Sequence, residues 1–279
     1  MTNIMDGNML AEKILSGIKS EASLLKSMPG LGIVMAGNDS ASLLYTSRKE
    51  KACKTMGFFS EMSRLPETAS DDDVIREIEK MGNNPAIDGI LVQLPLPGHM
   101  DTRKILSRIP AEKDVDGLSP LNMGKLAEGD ESGFIPCTPK GIIRLLEDYR
   151  IGIEGKNIVI INHSNLLGKP LAMMFLSRNA TVTVCHKTTK NLAEHTSYAD
   201  ILVTATGVPG LVIGEMIKKG AVVIDAGTSK SGAHVTGDVD FESAREVAGF
   251  ITPVPGGVGP MTVAMLMENT IAAARLHRK

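Results

Sequence analysis

Apolar residues recur along this chain in two alternating rhythms. From Gly7 onward, Leu10, Ile14, Leu15, Ile18, Ala22 and Leu25 fall at helical spacing. The run LGIVMAG at 31–37 is short and almost continuous, as a buried strand requires. Residues 40–57 predict a second helix, ended by Gly57, which can turn left-handed at the C′ position. Ser70 then precedes Asp71, Asp72 and Asp73 and the apolar set Val74, Ile75, Ile78 and Met81. That is an N-cap followed by charges that favour a helix N-terminus. The stretch DGILVQLPLPG at 88–98 predicts a strand broken by two prolines.

The segment from Pro120–Gly124 to Thr138–Lys140 is richer in glycine, proline and charge, and suits a connection between lobes. After it the alternation restarts. Strands are predicted at 153–162, 180–187, 199–207 and 220–227, with a helix at 167–179 and short helical stretches between the later strands. A last helix is expected from near Thr262 to the end of the chain. Near-continuous valine and isoleucine runs separated by helices predict a parallel sheet covered on both faces. The fold class is therefore α/β, with two doubly wound lobes.

Length agrees, since 279 residues are many for one core and sufficient for two. The net charge of −2 and scattered Lys and Arg leave no basic stripe, so no nucleic-acid partner is expected. No run approaches the roughly 20 apolar residues that span a bilayer. Asp6 lies where a signal peptide would need an apolar stretch, and Cys53, Cys137 and Cys185 are widely separated. A cytoplasmic protein with no membrane partner and no metal is expected. The 16 methionines are read as packing.

In a doubly wound sheet, a dinucleotide pyrophosphate sits at the first strand-to-helix turn. Here that turn is 162–170, Asn-His-Ser-Asn-Leu-Leu-Gly-Lys-Pro, with Gly168 permitting close approach and Pro170 suited to N1. It lacks G-x-G-x-x-G, so pattern alone leaves a nucleotide turn and an ordinary loop both open. The next strand ends in Cys-His-Lys-Thr-Thr-Lys at 185–190 with no carboxylate to hold a ribose 2′-hydroxyl. Lys187, with His163 nearby, is a candidate for the 2′-phosphate of NADP. The alternative is a solvated surface lysine.

Ser42, Tyr45 and Lys49 stand at i, i+3 and i+7 of the second helix. At about 100° per residue they form a stripe roughly 60° wide. Such a stripe can face water or line a cleft, and pattern alone does not choose. Gln93 ends a strand, where open α/β sheets place ligands, and Asp114 and Asp116 follow in Lys-Asp-Val-Asp-Gly.

Several segments occur together in order: 42–53, SLLYTSRKEKAC; 89–97, GILVQLPLP; 113–117, KDVDG; 136–141, PCTPKG; 164–170, SNLLGKP; and 253–262, PVPGGVGPMT. This set resembles the methylenetetrahydrofolate dehydrogenase/cyclohydrolase family over essentially the whole chain. The resemblance implies oxidation of 5,10-methylenetetrahydrofolate to the methenyl form, then hydrolysis to 10-formyltetrahydrofolate. It implies a folate-binding catalytic domain over 1–137, completed by the helix at 262–279, and a Rossmann-like NAD(P)-binding domain over 138–261, separated by a cleft. By position, Lys49 is the central catalytic residue, Tyr45 orients the pterin and Gln93 contacts Lys49. Asp116 binds the pterin's amino and amide edge, Ser42 supports the same site, and Pro255 and Gly256 contribute to substrate binding. The cofactor, expected to be NADP, falls to His163, Ser164, Asn165, Gly168, Lys187, Gly207, Thr228 and Thr262. A homodimer through the cofactor domain is also implied.

The chain departs from the family pattern at Asn162, where relatives usually carry glycine, and at His163, where many carry arginine. Cys137 sits in a family motif but is read as packing, because the reaction needs no thiol. The alternatives weighed are a dehydrogenase without the hydrolytic step, a non-catalytic nucleotide-binding regulator on the same fold, and a shikimate-type dehydrogenase. The retained Lys49, Tyr45 and Gln93 oppose the first two, and the 253–262 motif opposes the third.

Overall fold

The computed structural model of the chain describes residues 2–231 and 234–278. It divides into two units, one of Lys13–Cys137 with the chain from Val263, the other of the chain up to Glu12 with Thr138–Thr262.

The first unit contains most of α1 (Gly7–Ala22), then β2 (Gly30–Ala36), α2 (Ser40–Met56), β3 (Phe59–Leu65), α3 (Asp71–Asn83) and β4 (Gly89–Val92). The strand β1 (Asn3–Ile4) precedes α1 and belongs to the other unit. Strands β2, β3 and β4 form a parallel sheet in the order β3-β2-β4. All seven residues of β2 are buried, as its unbroken apolar run predicts for a central strand. A core of Val34, Val74, Ile78, Met81, Ile90 and Ile105 lies around this sheet.

The punctuation of these elements follows local chemistry. Gly57 ends α2 at φ 75°, in the left-handed region a side chain would resist. Ser70 and Asp73 form a reciprocal capping box at the start of α3. After β4 come α4 (Thr102–Leu106) and α5 (Pro120–Ala127), and α6 (Cys137–Asp148) begins at the unit boundary. The segment expected to be a connection thus holds a helix of its own. Its signal is Ser119 as N-cap with Pro120 at N1. The strand β3 was not anticipated either, because Ser60, Glu61, Ser63 and Arg64 break the apolar run on an exposed edge strand.

The second unit carries β5 (Asn157–Ile161), α7 (Gly168–Leu176), β6 (Thr181–Cys185), α8 (Leu192–Thr196), β7 (Ile201–Thr204) and β8 (Val222–Asp225). There follow β9 (Ser229–Ser231), β10 (His234–Thr236), α9 (Phe241–Arg245) and β11 (Phe250–Ile251). The parallel sheet runs β1-β11-β8-β7-β5-β6, and β9 and β10 form a separate antiparallel pair. Residues up to Glu12, expected in the first lobe, belong here because β1 extends the sheet beside β11. Pro170 stands at the third position of α7, not the first, still within the turn whose N–H groups have no helical partner.

The last helix, α10 (Val258–His277), begins four residues before Thr262. Pro260 fits its first turn for the same reason as Pro170. Near its end, in the first unit, Arg278 donates from Nε to Asp88 Oδ1 over 2.8 Å and from NH2 to Oδ2. Asp88 is buried and also accepts the Gly30 N–H, so the chain end is tied to the start of β2 and β4.

Candidate active site

The polar stripe of α2 begins where Asp39 caps the helix by accepting the Ser42 N–H. Ser42 is buried, and its Oγ has no hydrogen-bond partner among the described residues. A buried hydroxyl of this kind costs free energy unless a ligand or water completes it. Two turns on, Lys49 Nζ donates to Gln93 Oε1 over 3.0 Å. Gln93 follows β4 directly; its N–H extends the ladder to Val34 O, and its Nε2 donates to Leu94 O. That second bond fixes which end of the amide faces Lys49. Tyr45 lies on the same stripe, one turn before Lys49, and is half-buried.

Asp116 reaches this group from a tightly ordered loop. Asp114, fully buried, accepts the N–H groups of Leu118 and Ser119 and the Asn122 side chain. Gly117 adopts φ +68°, and an added Cβ there would lie 2.6 Å from the Phe134 carbonyl oxygen. The Val115 carbonyl, one residue before Asp116, accepts from Asn269 Nδ2 over 2.9 Å and from the Cys137 thiol over 3.3 Å. Asp114, Asn122, Asn269 and Cys137 therefore shape the loop that presents Asp116. Sequence reasoning missed Asn122 and Asn269: Asn122 bonds the Asp114 carboxylate and backbone groups of the same irregular segment, and Asn269 bonds backbone carbonyls remote along the chain.

Burial is the main influence on both charged groups. It holds the Lys49 amine below the ordinary lysine range, against the opposing pull of Asp116. It also pushes the Asp116 carboxyl above the ordinary carboxylate range, against the pull of Lys49. A lysine so disposed can reach its neutral, basic form without strong alkali.

In the second unit the sheet order reverses direction between β5 and β7, which makes the carboxyl ends of those strands the switch point for ligands. Asn162 organises the turn after β5. Its Oδ1 accepts from Ser164 N, Ser164 Oγ and Gly168 N, and its Nδ2 donates to Ala205 O after β7. A Cβ on Gly168 would meet Asn162 O at 1.9 Å, so glycine is required there. The Lys169 N–H is taken by Ser164 O. The first amides of α7 are thus already occupied, and the exposed His163–Leu166 turn is the part open to a ligand.

The remaining expected cofactor residues ring these strand ends. Gly207 turns at φ +73° after β7, and Thr228 is exposed after β8. Lys187 is exposed after β6, and the His163 and His186 rings lie 5.1 Å apart beside it. His186 was not anticipated. Thr262 lies on α10, where its Oγ1 is 3.0 Å from that of Thr138. Pro255 and Gly256 belong to this second unit too, in the turn before α10, with Gly256 O accepting the Gly7 and Asn8 N–H groups.

Residues 5–116 match the catalytic-domain model of tetrahydrofolate dehydrogenase/cyclohydrolase, and residues 136–278 match the NAD(P)-binding-domain model of the same family. The chain belongs to this family. It is 50% identical to the bifunctional protein FolD of Hydrogenobaculum sp. (strain Y04AAS1) over 272 residues, covering 97% of this chain and 98% of that protein. The bifunctional FolD structure from Campylobacter jejuni superposes with a TM-score of 0.96 at 42% identity, covering 99% of each chain. A Trypanosoma brucei FolD structure, complexed with NADP and an inhibitor, gives 0.96 at 37% identity, covering 100% of this chain and 99% of that one. Shikimate 5-dehydrogenase from Thermus thermophilus, at 17% identity and a TM-score of 0.52, shares the fold alone.

Family membership makes the chain an enzyme of tetrahydrofolate chemistry with a catalytic and an NAD(P)-binding domain. The family's NAD(P)-binding model continues through α10, although from Val263 that helix packs with the catalytic unit. The left-handed turn at Gly207 fits a dinucleotide, since it lets backbone approach a ligand closely.

Proposed function

We propose that this enzyme oxidises 5,10-methylenetetrahydrofolate with NADP and hydrolyses the methenyl product to 10-formyltetrahydrofolate, with Lys49 at the centre of the hydrolytic half. The observation that carries this reading is the Lys49–Gln93 hydrogen bond beside Asp116, in surroundings that favour a neutral amine. Hydride loss leaves a positive charge shared between two folate nitrogens. A protonated lysine beside that cation would be repelled, whereas a neutral one is tolerated. Bound NADP supplies the hydride acceptor, and the protein contributes alignment and the exclusion of water.

In the hydrolytic half, neutral Lys49 takes a proton from the water that adds to the methenyl carbon. Gln93 Oε1 accepts an amine N–H and so turns the Lys49 lone pair away from itself. The hydroxyl of the adduct then gives up its proton and becomes the formyl C=O as the bond from that carbon to N5 breaks. N5 gains a proton in exchange, the formyl group remains on N10, and the one proton released overall is the one first taken from water. Asp116 takes the pterin's donor edge, a charge-assisted contact. The unpartnered Ser42 hydroxyl is available to the same ligand, and Tyr45 packs on the ring.

NADP, not NAD, is favoured by the absence of a carboxylate after β6 and by Lys187, His163 and His186 gathered there. Initial rates with methylenetetrahydrofolate test the whole reading, with reduced nicotinamide and methenyl product followed separately. NADP-dependent reduction without lasting methenyl product is expected. A strong NAD preference would remove Lys187 from the site, and persistent methenyl product would remove the hydrolytic half.

The active form is a homodimer through the edge of the six-stranded sheet. Support comes from β6, the edge strand, on which Val184 is exposed, and from the exposed Leu176 at the end of α7 and Tyr198 after α8. Light scattering is expected to give twice the 29.7 kDa chain mass, and a monomer that keeps full activity contradicts this. The cytoplasm is the compartment this reading assigns, supported by three buried cysteines with no disulfide among the described residues. No helix among those residues is long and apolar enough to cross a membrane.

A further inference from the structure

Two buried carboxylates in the second unit have no part in the chemistry above. Asp238 lies between β10 and α9 and is fully buried. Its Oδ2 accepts from Thr204 Oγ1 over 2.8 Å, from Thr206 Oγ1 over 2.9 Å and from the Thr206 N–H. Its Oδ1 accepts the Val208 N–H over 3.1 Å. All four donors come from one stretch of five residues, the turn that leaves β7. A carboxylate is acceptor-only, and here three donors crowd Oδ2 while one takes Oδ1, all of them from this turn.

The second carboxylate, Asp225, ends β8. It accepts the Gly227 N–H on one oxygen and the Val239 N–H on the other. Burial, with the Asp238 charge as a further contribution, raises its pKa to about 6. The backbone is fitted to both acids. A Cβ on Gly227 would lie 2.1 Å from Asp238 Oδ1, and one on Gly237 would lie 2.0 Å from Asp225 Oδ2. The donors on Asp238 are backbone amides and threonine hydroxyls, so its charge is spent on loop geometry. Between those donors, Gly207 makes its left-handed turn, and its carbonyl is held by Ser229 Oγ.

We propose that Asp238 is a positioning residue for the cofactor: without touching it, the carboxylate sets the Thr204–Val208 turn on which NADP affinity depends. The inference rests on the reading that Gly207 lines the dinucleotide. It also separates the enzyme's two activities, because methenyl hydrolysis uses no nicotinamide and Lys49, Gln93 and Asp116 lie in the other unit. Asparagine in place of Asp238 keeps the shape but turns a donor toward the inward-pointing N–H and hydroxyl groups.

The test uses the full chain, with NADP affinity measured by calorimetric titration and methenyl hydrolysis followed without nicotinamide. For Asp238→Asn, charge-assisted bonds of this kind imply about a tenfold or greater loss of NADP affinity. The KM for NADP should rise in parallel, with kcat changed less and hydrolysis within about twofold of wild type. The milder Thr206→Val, which deletes one hydroxyl donor, should weaken NADP roughly threefold on the same grounds. Unchanged NADP affinity in Asp238→Asn overturns the proposal. So does loss of hydrolysis alongside NADP binding in both variants, since that would make Asp238 a residue of general folding. A wild type that fails to bind NADP, or a Gly207→Val enzyme that binds it normally, would instead overturn the cofactor-turn reading itself.

Discussion

Lys49 and Asp116 illustrate how two side chains can each be made useful by an environment that suits neither charge. Burial lowers the lysine and raises the aspartic acid, while each partly restores the other. On the reading that the neutral amine is the base, hydrolysis should rise with pH through the lowered Lys49 pKa and level off above it. Asp116→Asn removes a charge that favours protonated Lys49. The acidic limb of the pH–rate profile should therefore move to lower pH, together with a higher KM for folate. A limb that stays in place or moves to higher pH would mean that Lys49 is not the titrating group. Ser42, Tyr45, Lys49 and Gln93 were legible as candidates from a helical period and a strand end, but those left water and cleft both open for the stripe, and only the family resemblance gave the residues their roles. Asn269 and Asp238 were not legible. Asn269 holds backbone carbonyls, and Asp238 threonine hydroxyls and backbone N–H groups, of segments distant along the chain, which no periodicity reports.

The elements that carry these groups were legible in proportion to how strongly local chemistry fixes them. The N-cap at Ser70 and the glycine stop at Gly57 lie where the sequence put them, because both are decided within one turn of chain. The edge strand β3 and the earlier start of α10 depend on neighbours instead. The β5–α7 junction sits between these cases. Gly168 reads as a close-approach residue, yet the group it approaches, the Asn162 carbonyl, appears only in the fold. Gly168→Ala forces that carbonyl to move, an overpacking that costs about 1–3 kcal/mol and displaces the 162–168 turn. NADP affinity should fall while methenyl hydrolysis persists. Equal loss of both would assign the junction to stability alone.

At the scale of the molecule, the two units divide the labour as their sheets do. One presents a lysine–glutamine–aspartate group from α2, the end of β4 and the Asp114–Gly117 loop. The other presents turns at the switch point of a six-stranded parallel sheet. The two-lobed α/β plan was readable from alternating patterns, whereas the assignment of β1 to the second sheet needed its pairing with β11. A division of chemistry of this kind is tested most directly by Lys49→Met, which removes the base and leaves the hydride path. Methenyl hydrolysis should fall by about a hundredfold or more, the scale of general-base catalysis. NADP-dependent oxidation, measured on the same preparation, should fall by much less. If the two rates fell equally, or if hydrolysis survived the substitution, Lys49 would not be the hydrolytic base.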